Sequence, residues 1–418
     1  MGTSVHRLAT VALCVLAAAC SNNSGGGHPS ETGIADASPT DAGPADATVT
    51  DAASLLDGTL DSSTSADAAN DAIDAAPAAG DGGVTGCTLD SFMQPTELRC
   101  TGLYSDWPSR TIAPGVIEYD PGLHLWSDGA VKTRWIYLPP GTAIDTANMD
   151  EWMFPVGTKV WKQFIVGGQY IETRMIHKLP DRPDSGPYAG TWYLTTYQWS
   201  ADASSTSELT VGALNANDAG YEIPSQAKCS QCHGGRLDDV LGFEAVSLSS
   251  PDAGGLPIQA LIDQSLLTDP PDAALVIPGD PIQAAALGYL HTNCGVPCHN
   301  RGTGLAQSTG FYMRLLAADL ATIEATDTYQ TGWNQPTVGF HLVPDRLSQC
   351  NAPASCVYDR MSHRDPLNDA GYDTLSVPVQ MPPIDSHMVD PTGVAAVVSW
   401  INEGCDAAVP LDAGEDGD

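Results

Sequence analysis

The chain has 418 residues and a formal net charge of −34, with a sequence pI of about 4.2. Nucleic-acid binding depends on Lys and Arg neutralising phosphates, so this acidity argues against it. The length predicts two or three domains, and the charge favours contact with basic partners.

The first residues have the pattern of an export signal. His6 and Arg7 precede an apolar stretch at residues 8–19, which is too short to span a bilayer comfortably. The small residues before Cys20 resemble the cleavage box of bacterial lipoproteins, with the usual Leu one position early at Leu16. We expect residues 1–19 to be a signal peptide and Cys20 to be lipidated. The acyl chains would anchor an exported protein to a bacterial membrane, facing the periplasm or the cell surface. The alternative is plain secretion with an unmodified Cys20.

Two acidic segments predict little structure of their own. Residues 21–85 are mainly Ala, Asp, Ser, Thr, Gly and Pro, and they contain no Lys, Arg or aromatic residue. Such a composition cannot bury enough apolar area to offset chain entropy, so we expect a disordered linker over residues 20–85. Residues 409–418 are expected to form an acidic tail.

Residues 86–225 are expected to form a β-rich, sandwich-like domain. Val160–Val166, Tyr170–Leu179 and Thr191–Trp199 combine β-branched and aromatic residues with partial alternation. Most of the tryptophans lie in this region, and core packing is their expected role. A sugar-binding or docking face is the alternative.

Residues 226–408 are expected to form a mainly α, cytochrome c-like domain, which gives an α+β multidomain chain. Segments 273–278, 281–290 and 311–325 are predicted to be helical or partly helical. The clearest helix follows Asp390, which can cap it, with Pro391 in the first turn. One apolar face and a terminating glycine complete its pattern: Val394, Val397, Val398, Ile401 and Gly404.

The strongest motif is KCSQCHGG, which contains Cys229, Cys232 and His233. Cys-x-x-Cys-His is the attachment pattern of c-type haem: each thiol forms a thioether with a vinyl group, and the histidine ligates the iron. The alternatives are a disulfide, a redox-active dithiol or half of a zinc site. In the zinc site, Cys294 and Cys298 would supply the second pair of ligands.

A second motif, NCGVPCHN, contains Cys294, Cys298 and His299, with three residues between the cysteines. Three interpretations are open for this motif: a second haem on an expanded loop, a local disulfide at a site that has lost its haem, or another metal site.

A distal iron ligand is also expected. Met381 lies in the Pro-bounded loop QMPPI before the terminal helix, and ligation by His and Met raises the reduction potential relative to two His. The sequence does not decide which haem it would serve. Weaker candidates are Met388, His387, Met361, His363 and His341.

The order of these motifs resembles a family of exported, uncharacterised bacterial proteins with cytochrome c-type haem sites. The matching segments cover most of residues 90–405, and they include non-haem positions: Leu103–Trp107, Leu125–Thr142, Trp152–Lys162, Ile171–Ile176, Leu287–Asn300 and Val397–Ile401. The resemblance implies a cytochrome c-like electron carrier with two haems in typical members. The additional residue between Cys294 and Cys298 is a departure from the family pattern.

The predicted function is therefore electron transfer to a redox partner protein. The acidic surface suggests that this partner is basic. A haem-dependent, peroxidase-like or oxidative enzyme at the cell surface is one alternative. A binding module with an accessory haem domain is the other. No catalytic residue is assigned.

Overall fold

The computed structural model describes residues 86–180, 192–338, 343–364 and 380–405. Several predictions concern residues outside these ranges: the signal peptide 1–19, the lipidated Cys20, the linker 20–85, the tail 409–418 and the candidate ligand His341. Within the described ranges, no helix has the length and apolar character needed to cross a membrane.

The β-rich region is present as expected. Its strands are β1 Tyr104–Asp106, β2 Thr111–Ile112, β3 Val116–Tyr119, β4 Val131–Tyr137, β5 Lys159–Val166, β6 Gln169–Lys178, β7 Trp192–Trp199 and β8 Thr206–Glu208. Strands β3 to β8 form one six-stranded antiparallel sheet in chain order, and β1 pairs with β2. The three strands predicted from sequence coincide with β5, β6 and β7.

The large sheet is covered differently from the expected sandwich. Trp135, Trp161 and Trp199 lie on one face and pack with Leu98 and Leu103 from the preceding segment. The other face carries a second apolar group, which includes residues from beyond position 225: Ile136, Val160, Ile176, Leu194, Val240, Phe243 and Leu256. Chain segments, rather than a second sheet of similar size, therefore bury this sheet.

Short helices separated by long loops follow residue 225, so the described residues do not form the mainly α, cytochrome c-like domain that was expected. The helices are α1 Cys229–His233, α2 Ala245–Leu248, α3 Ile258–Asp263, α4 Pro281–Leu290, a π-helical turn at His291–Gly295, α5 Asp327–Gly332, α6 Cys356–Ser362 and α7 Pro391–Ile401. Asp280 caps α4, and Asp390 caps α7 by accepting from two backbone N–H groups. Helices α4 and α7 contribute to a common apolar group that we call the helical cluster; its buried members include Leu287, Leu290, Phe311, Val397, Trp400 and Ile401.

One of the three predicted helical segments is wrong, and another is helical only in part. Residues 273–278 form no helix, and residues 311–325 contain only the 3-10 turns Ala317–Asp319 and Ile323–Ala325. Half of the residues in 273–278 are exposed, Val276 to 74%, whereas turns in 311–325 separate side chains that are buried one by one. Thus Phe311, Met313 and Leu315 are buried in an extended segment.

Two disulfides stabilise the described chain, Cys87–Cys100 and Cys350–Cys405. The second joins the end of α7 to the loop before α6. Cys229, Cys232, Cys294, Cys298 and Cys356 are unpaired.

Candidate functional site

The first motif occupies helix α1, Cys229–His233. Residues three and four positions apart lie on the same side of an α-helix, so Cys229, Cys232 and His233 share one face. All three side chains are half-buried. Cys229 packs against the apolar group on the sheet face. The structure therefore brings the three predicted attachment residues together on one turn.

The orientation of His233 leaves one ring nitrogen available. Its Nδ1 lies 2.5 Å from the carbonyl oxygen of Asp239. A carbonyl only accepts, so Nδ1 carries the proton and the lone pair of the neutral ring is on Nε2. Among the described residues, no group forms a hydrogen bond with this Nε2. Burial lowers the pKa of His233 to about 4, and the nearby charges of Lys162 and Arg174 act in the same direction.

The carbonyl that holds His233 is fixed by a buried ion pair on the neighbouring residue. Asp238 is 1% exposed and accepts from Lys178 Nζ at 2.7 and 2.8 Å. Trp192 Nε1 and the backbone N–H of Phe154 also donate to this carboxylate, each at 2.5 Å. Since Lys178 and Trp192 belong to β6 and β7, the sheet positions the loop that orients His233.

The second motif uses a wider turn than the first. Its cysteine and histidine are connected by a hydrogen bond from His299 N–H to Cys294 O, at 2.7 Å, which spans five residues. Such bonds define the π-helix, in which one inserted residue widens a turn. Cys294, Cys298 and His299 are spaced four and five apart, whereas the first motif has spacings of three and four. The wider turn accommodates the additional residue.

His299 repeats the arrangement of His233. Its Nδ1 lies 3.0 Å from the carbonyl oxygen of Phe311, so Nε2 again carries the lone pair. Exposed His363 has a similar bond to Asp359 O. Buried His291 differs, because its Nδ1 accepts from Leu315 N–H and its Nε2 lies 3.4 Å from Glu244. Both ring nitrogens of His291 therefore contact protein groups, and neither is available to a metal.

The two motifs are packed against each other. Asn300 Nδ2 lies 3.1 Å from Gly235 O, which follows the first motif, and 3.1 Å from Val296 O in the second. A Cβ atom on Gly235 would come within 2.2 Å of Pro297 O, so only glycine allows this approach. The neighbouring Cys298 sulfur and burial raise the pKa of the Cys232 thiol, so one cysteine of each motif lies close to the other.

None of the four motif cysteines forms a disulfide. The local disulfide that the sequence left open for Cys294 and Cys298 is thus not formed. Burial raises the pKa of Cys229 to about 11 and that of Cys294 to about 12, which keeps these groups as thiols. In the part of the chain that the structure describes, no group of three or more His, Cys, Asp or Glu is arranged to hold a metal ion.

The loop that contains Met381 is attached beside the first motif. Asp385 Oδ1 lies 3.3 Å from Lys228 Nζ, one residue before Cys229, and the same lysine contacts Glu222 at 3.1 Å. His387 Nε2 lies 2.7 Å from Glu222. The Met381 backbone N–H donates to Arg360 O in α6. The loop therefore contacts the first motif, although it lies closer to the second in sequence.

Comparison of the chain with protein-family models, with curated proteins and with solved structures gave no match. The site thus has to be interpreted from its own geometry. Sequence reasoning did not identify Asp238, Lys178 or Asn300. Asp238 follows the first motif closely and Asn300 directly follows His299, so proximity to the motifs was the one signal that could have indicated them.

Proposed function

We propose that this chain is an exported, lipid-anchored c-type cytochrome that transfers electrons through haem bound at Cys229, Cys232 and His233. A second haem at Cys294, Cys298 and His299 is part of the proposal. The region after residue 225 would serve as the cytochrome c-like part of the molecule, although its helices are short. The sequence resemblance to exported proteins with two such motifs agrees with this function.

The observation that carries the proposal is the hydrogen bonding of the two motif histidines. Iron-ligating histidines commonly donate their second ring N–H to a carbonyl or carboxylate, which fixes the tautomer and aims the other nitrogen at the metal. His233 and His299 both donate Nδ1–H to a backbone carbonyl, from Asp239 and Phe311. Within the described chain, Nε2 of each has no hydrogen-bond partner.

The cysteines fit the same chemistry. Thioether attachment requires two thiols that are not consumed by a disulfide, and both motifs provide them next to two disulfides formed elsewhere. A porphyrin brings its own nitrogen ligands, so the protein needs to supply only axial ligands. Bound haem would supply an iron that alternates between the ferrous and ferric states.

The residues of this chain would set how the haem works. His233 and His299 would be the proximal ligands, and the Met381 loop would present a distal ligand to the first motif, with which it is in contact. The strongly acidic chain favours a basic redox partner through transient electrostatic contact.

The test is spectroscopy on the full chain, produced in a host that matures c-type cytochromes. We expect a reduced spectrum typical of c-type haem and slow or no binding of carbon monoxide at the first haem, because the Met381 loop would fill its second axial position. His233→Ala should disturb ligation at the first haem. His177→Ala is the matched control, since that histidine bonds Gln94 on the opposite face of the sheet from the first motif, and it should leave the haem spectrum unchanged.

A colourless product would contradict the proposal. Ready binding of carbon monoxide to the first ferrous haem would instead favour an enzyme with an open iron position over an electron carrier.

A further inference from the structure

Four cations lie together on the sheet face that carries the first motif. We call them the basic sheet patch: Lys132, Arg134, Lys162 and Arg174. Arg134, Lys162 and Arg174 are direct cross-strand neighbours on β4, β5 and β6, so their side chains project from the same face. Like charges in directly opposed positions destabilise a sheet. In a chain with only 17 Lys and Arg residues, this concentration needs a compensating anion.

The protein provides one carboxylate partner for this charge, while Lys162 and Arg174 also lie over the Phe164 ring and Lys132 donates to Leu125 O. Glu172 pairs with Arg174 at 2.6 Å and also accepts from the Tyr221 hydroxyl. Among the described residues, Lys132, Arg134 and Lys162 form no ion pair, and Arg134 forms no side-chain hydrogen bond although it is only 5% exposed. Burial and the neighbouring cations lower the pKa of Lys132 to about 8 and lower that of Lys162 strongly.

Four other carboxylates near the patch are already engaged, and one of them, Asp385, lies close to Arg174 and pairs with Lys228. Asp120 contacts His124 and the Gly122 N–H. Asp128 accepts from the backbone of the Met381 loop, and Asp390 caps α7. These groups hold other parts of the structure, so the patch retains an excess of positive charge.

The patch lies on the sheet face against which the first motif packs. Cys229 contacts the apolar group of that face, and Tyr221, which precedes the first motif, donates its hydroxyl hydrogen to Glu172, the partner of Arg174. An anion bound to the patch would therefore be adjacent to the group attached at Cys229 and Cys232.

We propose that the basic sheet patch is a carboxylate-binding site, and that it holds the propionate groups of the haem attached at the first motif. Arginine binds carboxylates through paired N–H donors, and Arg134 has all of its donors available for such contacts. This inference rests on the proposed function, and it identifies how the β-rich region takes part in haem binding.

The first test uses Arg134→Gln in the full, haem-loaded chain. Loss of a cation next to the propionates should stabilise ferric iron, so the reduction potential of one haem falls while both haems remain attached by mass. Arg110→Gln is the matched control, because Arg110 stacks on Tyr170 and Trp199 at the opposite face of the sheet. Lys162→Met provides a second variant if Arg134→Gln does not fold. Equal shifts in the patch variant and in the Arg110 control would overturn the assignment.

The second test separates haem carboxylates from a free anion. Inorganic phosphate is titrated by calorimetry into the haem-loaded chain and into the Cys229→Ala, Cys232→Ala variant. We expect phosphate to bind the variant and not the haem-loaded chain, where propionates fill the patch. Equal binding to both forms, or binding to neither, contradicts the inference. Failure of the proposed function itself is distinguished by mass, because the natural chain would then carry no haem.

Discussion

The first motif forms a short α-helix on the face of the sheet, whereas the second begins at Cys294 in the π-helical turn that follows α4 and ends beyond that turn at His299. Both present two unpaired cysteines and a histidine whose Nδ1 donates to a carbonyl. The supports differ, since a long-range ion pair from the sheet holds the first and a local turn holds the second. Equivalent side-chain arrangements therefore do not require identical spacing.

Asp238→Asn should produce the largest effect and should separate the motifs. Removing one member of a buried ion pair costs about 3–5 kcal/mol, because Lys178 would remain buried without its partner. We expect that loss of stability in denaturant unfolding, with an altered spectrum of the first haem only. Asp327→Asn is the control, because Asp327 pairs with Arg301, whose side chain is 56% exposed. Equal spectral changes at both haems would contradict the conclusion that different contacts hold the two motifs.

Gly235→Ala should affect both motifs together. The new methyl group would overlap Pro297 O, and overpacking of this kind costs about 1–3 kcal/mol. We expect lower stability and reduced haem loading at both sites by mass. Gly254→Ala is the control, since its nearest contact would be an ordinary 3.8 Å. Normal loading at either motif in the Gly235 variant would show that the contact between the motifs is dispensable.

Asp385→Asn should have the smallest effect on stability. Its pair with Lys228 is partly exposed, and such pairs contribute about 0–1 kcal/mol. The variant should still shift the reduction potential of the first haem, because this pair connects the Met381 loop to the first motif. Glu97→Gln, which removes a similarly exposed pair with Arg99, is the control. A shift at the second haem instead would assign the loop to that motif.

Local patterns predicted the local structure well. The helix after Asp390 and the strands β5 to β7 were predicted from capping and alternation, and they are confirmed within one or two residues. The clustering of Cys229, Cys232 and His233 could also be predicted, because it depends only on residues within one helical turn. Apolar content alone was misleading at 311–325, where the buried side chains lie on extended chain.

Long-range contacts could not be predicted in the same way. The Lys178–Asp238 pair joins residues 60 positions apart, and the basic sheet patch depends on the register of three strands. The widened turn at Cys294 is an intermediate case. An additional residue was visible in the sequence, but whether it disrupts the motif depends on the hydrogen bonds that the backbone adopts.

The intact mass of the full chain, purified from a host that matures c-type cytochromes, tests the central claim most directly. We predict the processed chain plus two covalently bound haems, with one haem lost in the Cys229→Ala, Cys232→Ala variant. If the mass of the natural chain increases by one haem only, and the variant loses that haem, the first site is supported and the second is not. A mass without haem would contradict the account.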